Sequence, residues 1–115
     1  MASSQVLVST TDSIPGYRAV SYRGIAWASS ARSKNALADL GAVLKTIVGG
    51  EIRTYKKMLN EARASALSEL MRNAHKEGAN AVVGVRFSSA QLISSTVEVT
   101  AYGTAVVVER ESGRK

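Results

Sequence analysis

The longest periodic pattern in the sequence is a helical stripe in the second half of the chain. Apolar side chains recur there at steps of three and four residues, whereas the positions on the opposite side are polar. This spacing predicts an amphipathic helix that starts near Thr54, a good N-cap residue, and runs to about Lys76, with Gly78 as its stop signal. The apolar stripe consists of Tyr55, Met58, Leu59, Ala62, Ala66, Leu70 and Ala74.

A shorter helix is predicted before this one. The polar residues 29–34 form a loop in this interpretation, and Ser33 is a suitable N-cap for leucines at helical spacing in residues 34–48. Gly49 and Gly50 then separate the two helices. A glycine can adopt the positive φ that caps a helix, so the pair is interpreted as a joint.

The N-terminal part of the chain predicts two strands. Residues 5–9 form a short strand, and Pro15 and Gly16 after it suit the two central positions of a type II turn. Residues 17–28 then continue in an extended pattern rich in aromatic and branched side chains. Gly24 within them indicates a bulge or a close backbone approach.

The C-terminal part predicts two more strands. Residues 79–89 begin with a valine-rich run, and residues 96–109 alternate between apolar and polar side chains with a period of two. Residues 90–95 are interpreted as a linker. The order is therefore β-β-α-α-β-β, and we expect an α+β fold with two helices packed on a small antiparallel sheet.

Composition indicates a single domain over residues 1–115, with 111–115 as a frayed basic tail. The chain has no cysteine, no apolar run of membrane-spanning length and no signal-peptide pattern at its start, so we expect a cytoplasmic protein. Fifteen Lys and Arg against nine Asp and Glu give a formal charge of +6. This excess favours anionic partners such as nucleic acid, phosphorylated metabolites or membrane surfaces.

The last strand predicts self-association. It begins with one apolar face but ends as "AVVV", which is apolar on both faces. Two helices can cover one face of a small sheet, so the far side of Val82, Val106 and Val108 needs another cover. Either an N-terminal strand folds over these valines or a second subunit does, and the second alternative is favoured here.

Several motifs resemble those of the YbjQ family, small bacterial and archaeal proteins labelled as conjectured heavy-metal binders. They are the "IVGG" joint with Tyr55 just downstream, the "EAR..AL.EL" helix, "GANAVVGV" and the terminal "GTAVVV". The resemblance spans almost the whole chain. It implies a dodecin-like α+β subunit without established enzymatic activity, gathered into a homo-oligomeric ring that is usually a pentamer, with stacked rings as an open alternative.

The sequence departs from this family at two informative places, the segment "SSARSKNA" before the first helix and the strand that continues "VVG". Members typically continue the "VVG" strand with an acidic run, but residues 85–90 read "VRFSSA", with Arg86 and Ser88 where carboxylates are expected. The strand is therefore poorly equipped for the cation that a typical member would hold.

His75 is the single histidine and the one weak candidate for a metal ligand. Soft and borderline ions need thiolates and imidazoles in sets of three or four, and Met71, four residues away, could at most complete a weak pair. A histidine at a helix end is more often a surface residue that favours the helix dipole when protonated. No cofactor is predicted, although a ring could collect several copies of one ligand.

A second candidate site is an anion-binding surface formed by Gly50, Arg53, Lys56 and Lys57. Phosphate cradles place backbone N–H groups and basic side chains at a helix start, and this segment offers both. The segment lacks the spacing of a P-loop or a dinucleotide fingerprint, and Glu51 adds negative charge. The joint between two helices remains the simpler interpretation.

Stacking and catalysis have less support. Tyr17, Tyr22 and Trp27 lie on predicted strands, where packing explains them. Glu61 and Glu69 suggest surface ion pairs, and the histidine has no evident nucleophile or carboxylate partner. Three hypotheses remain: a family-like metal binder, an oligomeric module for an anionic partner such as nucleic acid, and a purely structural assembly.

Overall fold

The computed structural model describes residues 6–33, 50–93 and 96–111, which form one helix and four strands in a single sheet. The strands lie side by side in the order β1-β3-β4-β2. This confirms an α+β fold. The elements are β1 (Leu7–Val8), β2 (Tyr17–Ser33), α1 (Gly50–Lys76), β3 (Ala81–Ile93) and β4 (Thr96–Arg110).

The sheet is mixed, which corrects the predicted antiparallel sheet. β2 and β3 both pair antiparallel with β4, but β1 pairs parallel with β3, with Leu7 opposite Ala81 and Val8 opposite Val82. The physical reason is the connection between β1 and β2, which runs from one edge of the sheet to the opposite edge. β1 and β2 are therefore not neighbours, although they follow each other in sequence.

The helix count and helix start also differ from the prediction. The described residues contain one helix rather than two, and the first predicted helix, at 34–48, lies outside them together with Gly49. α1 begins at Gly50 rather than near Thr54, so Thr54 lies within the helix and is not its N-cap.

The strands are longer than predicted. Residues 29–33 and 90–93 belong to β2 and β3, although their polar composition indicated a loop and a linker. Both segments pair with β4 as far as Thr96. A strand of 17 residues spans about 56 Å at roughly 3.3 Å per residue, close to the longest dimension of the molecule, 60 Å.

The core lies between α1 and the strands β2 and β4. The predicted apolar stripe is confirmed, since Met58 and Leu70 are buried together with the three alanines between and after them. The strands meet this stripe with small or branched side chains. Alanine on both surfaces allows the helix and the sheet to approach closely. The facing strand residues are Ala26, Ala28, Val99, Ala101 and Ala105.

The helix ends at the predicted glycine. Gly78 has φ +88°, and its N–H donates to the His75 carbonyl at 2.9 Å. The Ala79 N–H reaches back to the Ala74 carbonyl at 3.0 Å. These two bonds form a Schellman motif, in which the buried Ala79 and Ala74 supply the usual apolar contact. In the described part of the chain, no helix is long and apolar enough to cross a lipid bilayer.

The valines that predicted self-association are already buried within one chain, which corrects that prediction. Val82, Val106 and Val108 are 0%, 1% and 7% exposed within one chain. Val82 faces α1, whereas Val106 and Val108 form a second small core that Ile14 and Tyr17 cover. Of the two alternatives, the N-terminal segment is the one that shields these valines. They give no reason to invoke another subunit.

Candidate functional site

The structure gives His75 no metal site. His75 is exposed in the last turn of α1, and Met71 is half-buried against the helix–sheet core. Within residues 6–33, 50–93 and 96–111, no three His, Cys, Asp or Glu side chains come together as a metal ion would require. The side chains described in one chain therefore do not fit a resident heavy metal.

The arginine on the expected acidic strand has a structural task. The Arg86 guanidinium donates through Nη1 to the carbonyl of Thr10, at 3.0 Å, and to that of Val85, at 2.9 Å. It thereby ties the loop after β1 to β3. A carboxylate at this position could not donate these bonds, so this subunit uses the position for anchoring rather than for cation binding.

The basic candidates share one exposed face of α1. Arg53, Lys56 and Lys57 lie three and four residues apart, and all three are exposed. We call these three residues the basic stripe. Gly50 is the first residue of the same helix. No carboxylate pairs with any of the three in the part of the chain that the structure describes, where the ion pairs are Arg18–Glu109 and Arg72–Glu69.

Large apolar side chains are exposed on the sheet face that α1 does not cover. Ile25, Trp27 and Tyr102 are 65%, 63% and 42% exposed. Trp27 and Tyr102 are direct partners across β2 and β4, and Ile25 pairs one step further along with Thr104. We call Ile25, Trp27 and Tyr102 the open aromatic face. Cross-strand aromatic partners of this kind form a continuous surface.

This surface overturns the interpretation of Trp27 and Tyr22 as packing residues, since both are mostly exposed. A signal for the correct orientation was present in the sequence. The helix stripe is rich in alanine, and the strand positions that face it carry small side chains too, so that helix and sheet approach closely. Ala26 and Ala28 are buried against the helix, and the alternating Ile25 and Trp27 therefore point away from it.

A groove of about 310 Å³ opens on the same sheet face, next to the segment that precedes β2. Its lining combines buried valines with aromatic, aliphatic, polar and charged side chains, so that polar and apolar surface contribute about equally. We call it the N-terminal groove. Its lining residues are Asp12, Ser13, Ile14, Tyr17, Arg18, Ala19, Tyr22, Val83, Val106 and Val108.

The loop beside this groove is held by a dense set of hydrogen bonds. The backbone N–H groups of Gly84 and Val85 donate to the carbonyls of Thr11 and Ser9 at 2.8 and 3.0 Å. The Thr11 hydroxyl donates to the Ser13 carbonyl. The following turn is the predicted one, with Gly16 at φ +86°. The loop that contributes Asp12 and Ser13 to the groove lining is therefore preorganised.

Some charged groups around the groove have interaction partners, and one has none among the described residues. Arg18 Nη2 donates to Glu109 Oε1 at 2.8 Å, and the Arg110 guanidinium lies 5.8 Å from the centre of the Tyr17 ring. Asp12 is exposed and has no hydrogen-bond or ion-pair partner among the described residues. It is a carboxylate in the lining of the groove.

No catalytic set assembles among the carboxylates considered from the sequence. Glu69 pairs with Arg72 on the helix surface, and Glu61 is exposed. Among the described residues, His75 makes no hydrogen bond or ion pair with either of them. The described residues thus form an α+β fold with a long helix on one face of a mixed sheet and an exposed apolar surface on the other.

A solved structure with a similar fold belongs to a protein of unknown function of the DUF74 family from Pediococcus pentosaceus. The TM-score is 0.65, and the match covers 90% of this chain and 98% of that one. At 17% identity the likeness concerns the fold alone.

Sequence comparison gives the family. The model of the YbjQ family, described as "Putative heavy-metal-binding", matches residues 6–109. A UPF0145 protein of Thermococcus kodakarensis is 49% identical over 92% of this chain and 94% of its own length. One from Thermotoga maritima is 43% identical over 91% and 99%. The chain therefore belongs to the YbjQ family, as its motifs predicted, and these names state no enzymatic activity.

Proposed function

We propose that this protein is a non-enzymatic subunit that associates with copies of itself through the open aromatic face to form a closed ring. The observation that supports this proposal is the exposure of Ile25, Trp27 and Tyr102 on one continuous sheet face. Contiguous apolar surface of this kind marks interaction sites on folded proteins. Burying one large aromatic or aliphatic side chain contributes on the order of 2–3 kcal/mol.

The shape of the subunit supports the same proposal. Its radius of gyration is 17.9 Å, whereas a compact domain of this length has about 13 Å. Among the described residues, α1 is the one helix that covers a sheet whose longest strand has 17 residues, and it covers part of it. Neighbouring copies would cover the rest. The subunit number of five follows the family resemblance, and the subunit mass of 12.1 kDa gives a pentamer of about 60 kDa (five times 12.1).

The test compares molar masses by light scattering at micromolar protein. We expect an oligomeric mass for the parent and the subunit mass for Ile25→Glu, because a carboxylate on this face would lose its hydration upon association. Ala64→Glu is the matched control, since it adds the same charge on the exposed outer side of α1 and should keep the parent mass.

A second measurement uses Trp27 itself, which is the only tryptophan of the chain. Its fluorescence emission should shift to shorter wavelength as protein concentration rises, in the parent and in Ala64→Glu but not in Ile25→Glu. A parent that stays monomeric, or an Ile25→Glu variant with the parent mass, would refute association through this face.

A second candidate function is the binding of an anionic partner, nucleic acid or a phosphorylated ligand, through the basic stripe at the start of α1. The observation that favours it is the exposure of Arg53, Lys56 and Lys57 on one helix face, next to Gly50, without described carboxylate partners. Such a surface neutralises phosphates and releases their counterions. Repetition of the stripe around a ring would strengthen binding to a polyanion.

Neither function needs a resident metal. The family's description mentions heavy metals, but the described side chains of one subunit do not fit one. A site would have to combine ligands from several copies, with His75 as the one imidazole that each copy supplies.

A further inference from the structure

We propose that the N-terminal groove binds a small planar aromatic cation, such as a ring that carries an amidinium or ammonium group. The lining of the groove brings together three buried valines, two tyrosine rings and the carboxylate of Asp12, which has no described partner. This proposal is independent of self-association, which involves the adjacent open aromatic face. It concerns a site for a small molecule rather than for a protein or a polyanion.

The apolar part of the groove sets the size and flatness of the ligand. Its volume of about 310 Å³ is at the lower end of the range for small-molecule sites. Val83, Val106 and Val108 are buried members of its lining, and Tyr17 and Tyr22 line it as well. A single aromatic ring with one substituent fits this space, and it can stack on a tyrosine ring or meet its edge.

Tyr22 is the ring with the most surface to offer. Tyr22 is 71% exposed, although the valines that line the same groove are buried. The Tyr17 ring already accepts the Arg110 guanidinium at 5.8 Å from its centre, which is a cation–π distance. A planar cation next to the free Tyr22 ring would repeat this arrangement with a ligand.

The charges at the groove favour a cation over an anion. Arg18 is the basic residue of the lining, and Glu109 neutralises it at 2.8 Å. The Arg86 guanidinium, which donates to the Thr10 carbonyl, does not belong to the lining. The whole chain, by contrast, has a formal charge of +6. Within the lining, Asp12 is the carboxylate and has no described partner, so it is the negative charge that a bound cation would meet.

The rigidity of the loop makes this carboxylate useful. Hydrogen bonds from Gly84, Val85 and Arg86 hold the carbonyls of the residues before Asp12, so little chain entropy is lost when a ligand binds. Since Asp12 itself makes no described contact, replacing it should leave the fold intact. Its position is that of a recognition residue on a fixed loop.

The experiment uses 4-aminobenzamidine, a fluorescent planar cation, as the probe, with neutral benzamide and anionic benzoate as comparison ligands. Binding is followed by probe fluorescence and by chemical-shift changes of the groove residues. We expect the parent to prefer the amidine over benzamide and benzoate. Asp12→Asn should weaken amidine binding at least about fivefold and leave benzamide binding unchanged, because it removes only the charge.

Glu111→Gln is the matched control. It removes one negative charge near the groove, but Glu111 does not line it, so amidine binding should change less than twofold. Tyr22→Ala should weaken all three ligands because it removes an aromatic ring from the lining. Equal binding of benzoate and amidine, no shifts at the groove, or equal effects of Asp12→Asn and Glu111→Gln would overturn the proposal.

Molar mass and unfolding midpoint are measured for each variant. A monomeric parent that binds the amidine would refute the ring and leave the groove proposal intact. An oligomeric parent that does not bind the amidine would refute the groove proposal and leave self-association intact. The two proposals therefore fail by different results.

Discussion

The side-chain amide of Asn80 forms hydrogen bonds with the backbone of β4, as a strand residue would do with its own backbone. Its Nδ2 donates to the Val108 carbonyl at 3.0 Å, and its Oδ1 accepts from the Val108 N–H at 2.8 Å. Its own backbone N–H donates to the Val106 carbonyl at 3.1 Å. Asn80 lies just before β3, so these bonds continue the β3–β4 ladder by one step. The family motif "GANAVVGV" thus has a structural explanation at this position.

We expect Asn80→Ala to lower the free energy of unfolding by about 1–3 kcal/mol, because it leaves two partly buried backbone groups of Val108 without partners. Asn80→Asp keeps the acceptor but loses the donor, so it should also destabilise the protein. Urea denaturation at a fixed protein concentration measures both changes.

Asn73→Ala serves as the control for this comparison. Asn73 donates a single bond, at 3.0 Å, to the Trp27 carbonyl in an exposed position. Its loss should therefore cost less than that of Asn80. If both alanine variants unfolded at the same urea concentration, Asn80 would have no special role in the ladder.

At the scale of elements, local patterns were predictable and pairings were not. The period of the α1 stripe and the positive-φ glycines at 16 and 78 were correct, since these depend on neighbouring residues. The ends of β2 and β3 were wrong, because residues 29–33 and 90–93 have no apolar alternation and gain their strand structure from pairing with β4. The parallel β1 is likewise a long-range outcome.

The same limit applies to the sites. Basic residues three and four apart on a helix identify a shared face, so the basic stripe was predictable. The N-terminal groove joins residues 12–22 to valines at 83, 106 and 108, and no local pattern indicates such a meeting. Trp27 was misassigned because a strand pattern alone does not tell which face the helix will cover.

A bulge in β3 fits against a glycine in β4. The register between these strands shifts between Val83 and Arg86, and Gly84 in the bulge has φ +64°. A Cβ atom on Gly103 would lie 2.7 Å from Val82 Cγ1 and 2.9 Å from the Val83 carbonyl oxygen. The absence of a side chain at Gly103 is what allows the two strands to approach here.

We expect Gly103→Ala to destabilise the protein by about 1–3 kcal/mol, because the backbone oxygen cannot move away without disturbing the ladder. Adding Val82→Ala removes one of the two clashing atoms. The double variant should therefore lose less stability than the sum of the single variants, which denaturation curves of all four proteins would measure.

Ser89→Ala is the control, since Ser89 is exposed on the same strand pair and should shift stability by less than about 0.5 kcal/mol. Strictly additive losses, or a Gly103→Ala variant as stable as Ser89→Ala, would contradict the close approach.

At the scale of the whole molecule, the two main surfaces lie on opposite sides of the sheet. α1 packs its apolar stripe on one face, so its basic stripe points away from the sheet. The open aromatic face and the N-terminal groove lie on the other side. Association through the aromatic face would therefore leave Arg53, Lys56 and Lys57 accessible in every copy.

This arrangement predicts that polyanion binding depends on where the positive charge lies and not only on its amount. Replacing Arg53, Lys56 and Lys57 together by Gln should lower the salt concentration at which the protein elutes from heparin. It should also flatten the dependence of log K on log salt by about two to three units, one for each lost phosphate or sulfate contact.

The matched control replaces Arg63, Arg72 and Lys76 by Gln, which removes the same three charges from other exposed positions of α1. Arg63 and Arg72 are already engaged, with Asn60 and Glu69 respectively. This control should therefore keep most of the parent's retention. Equal elution of the two triple variants would mean that the net charge alone causes retention, and the basic stripe would then be ordinary surface.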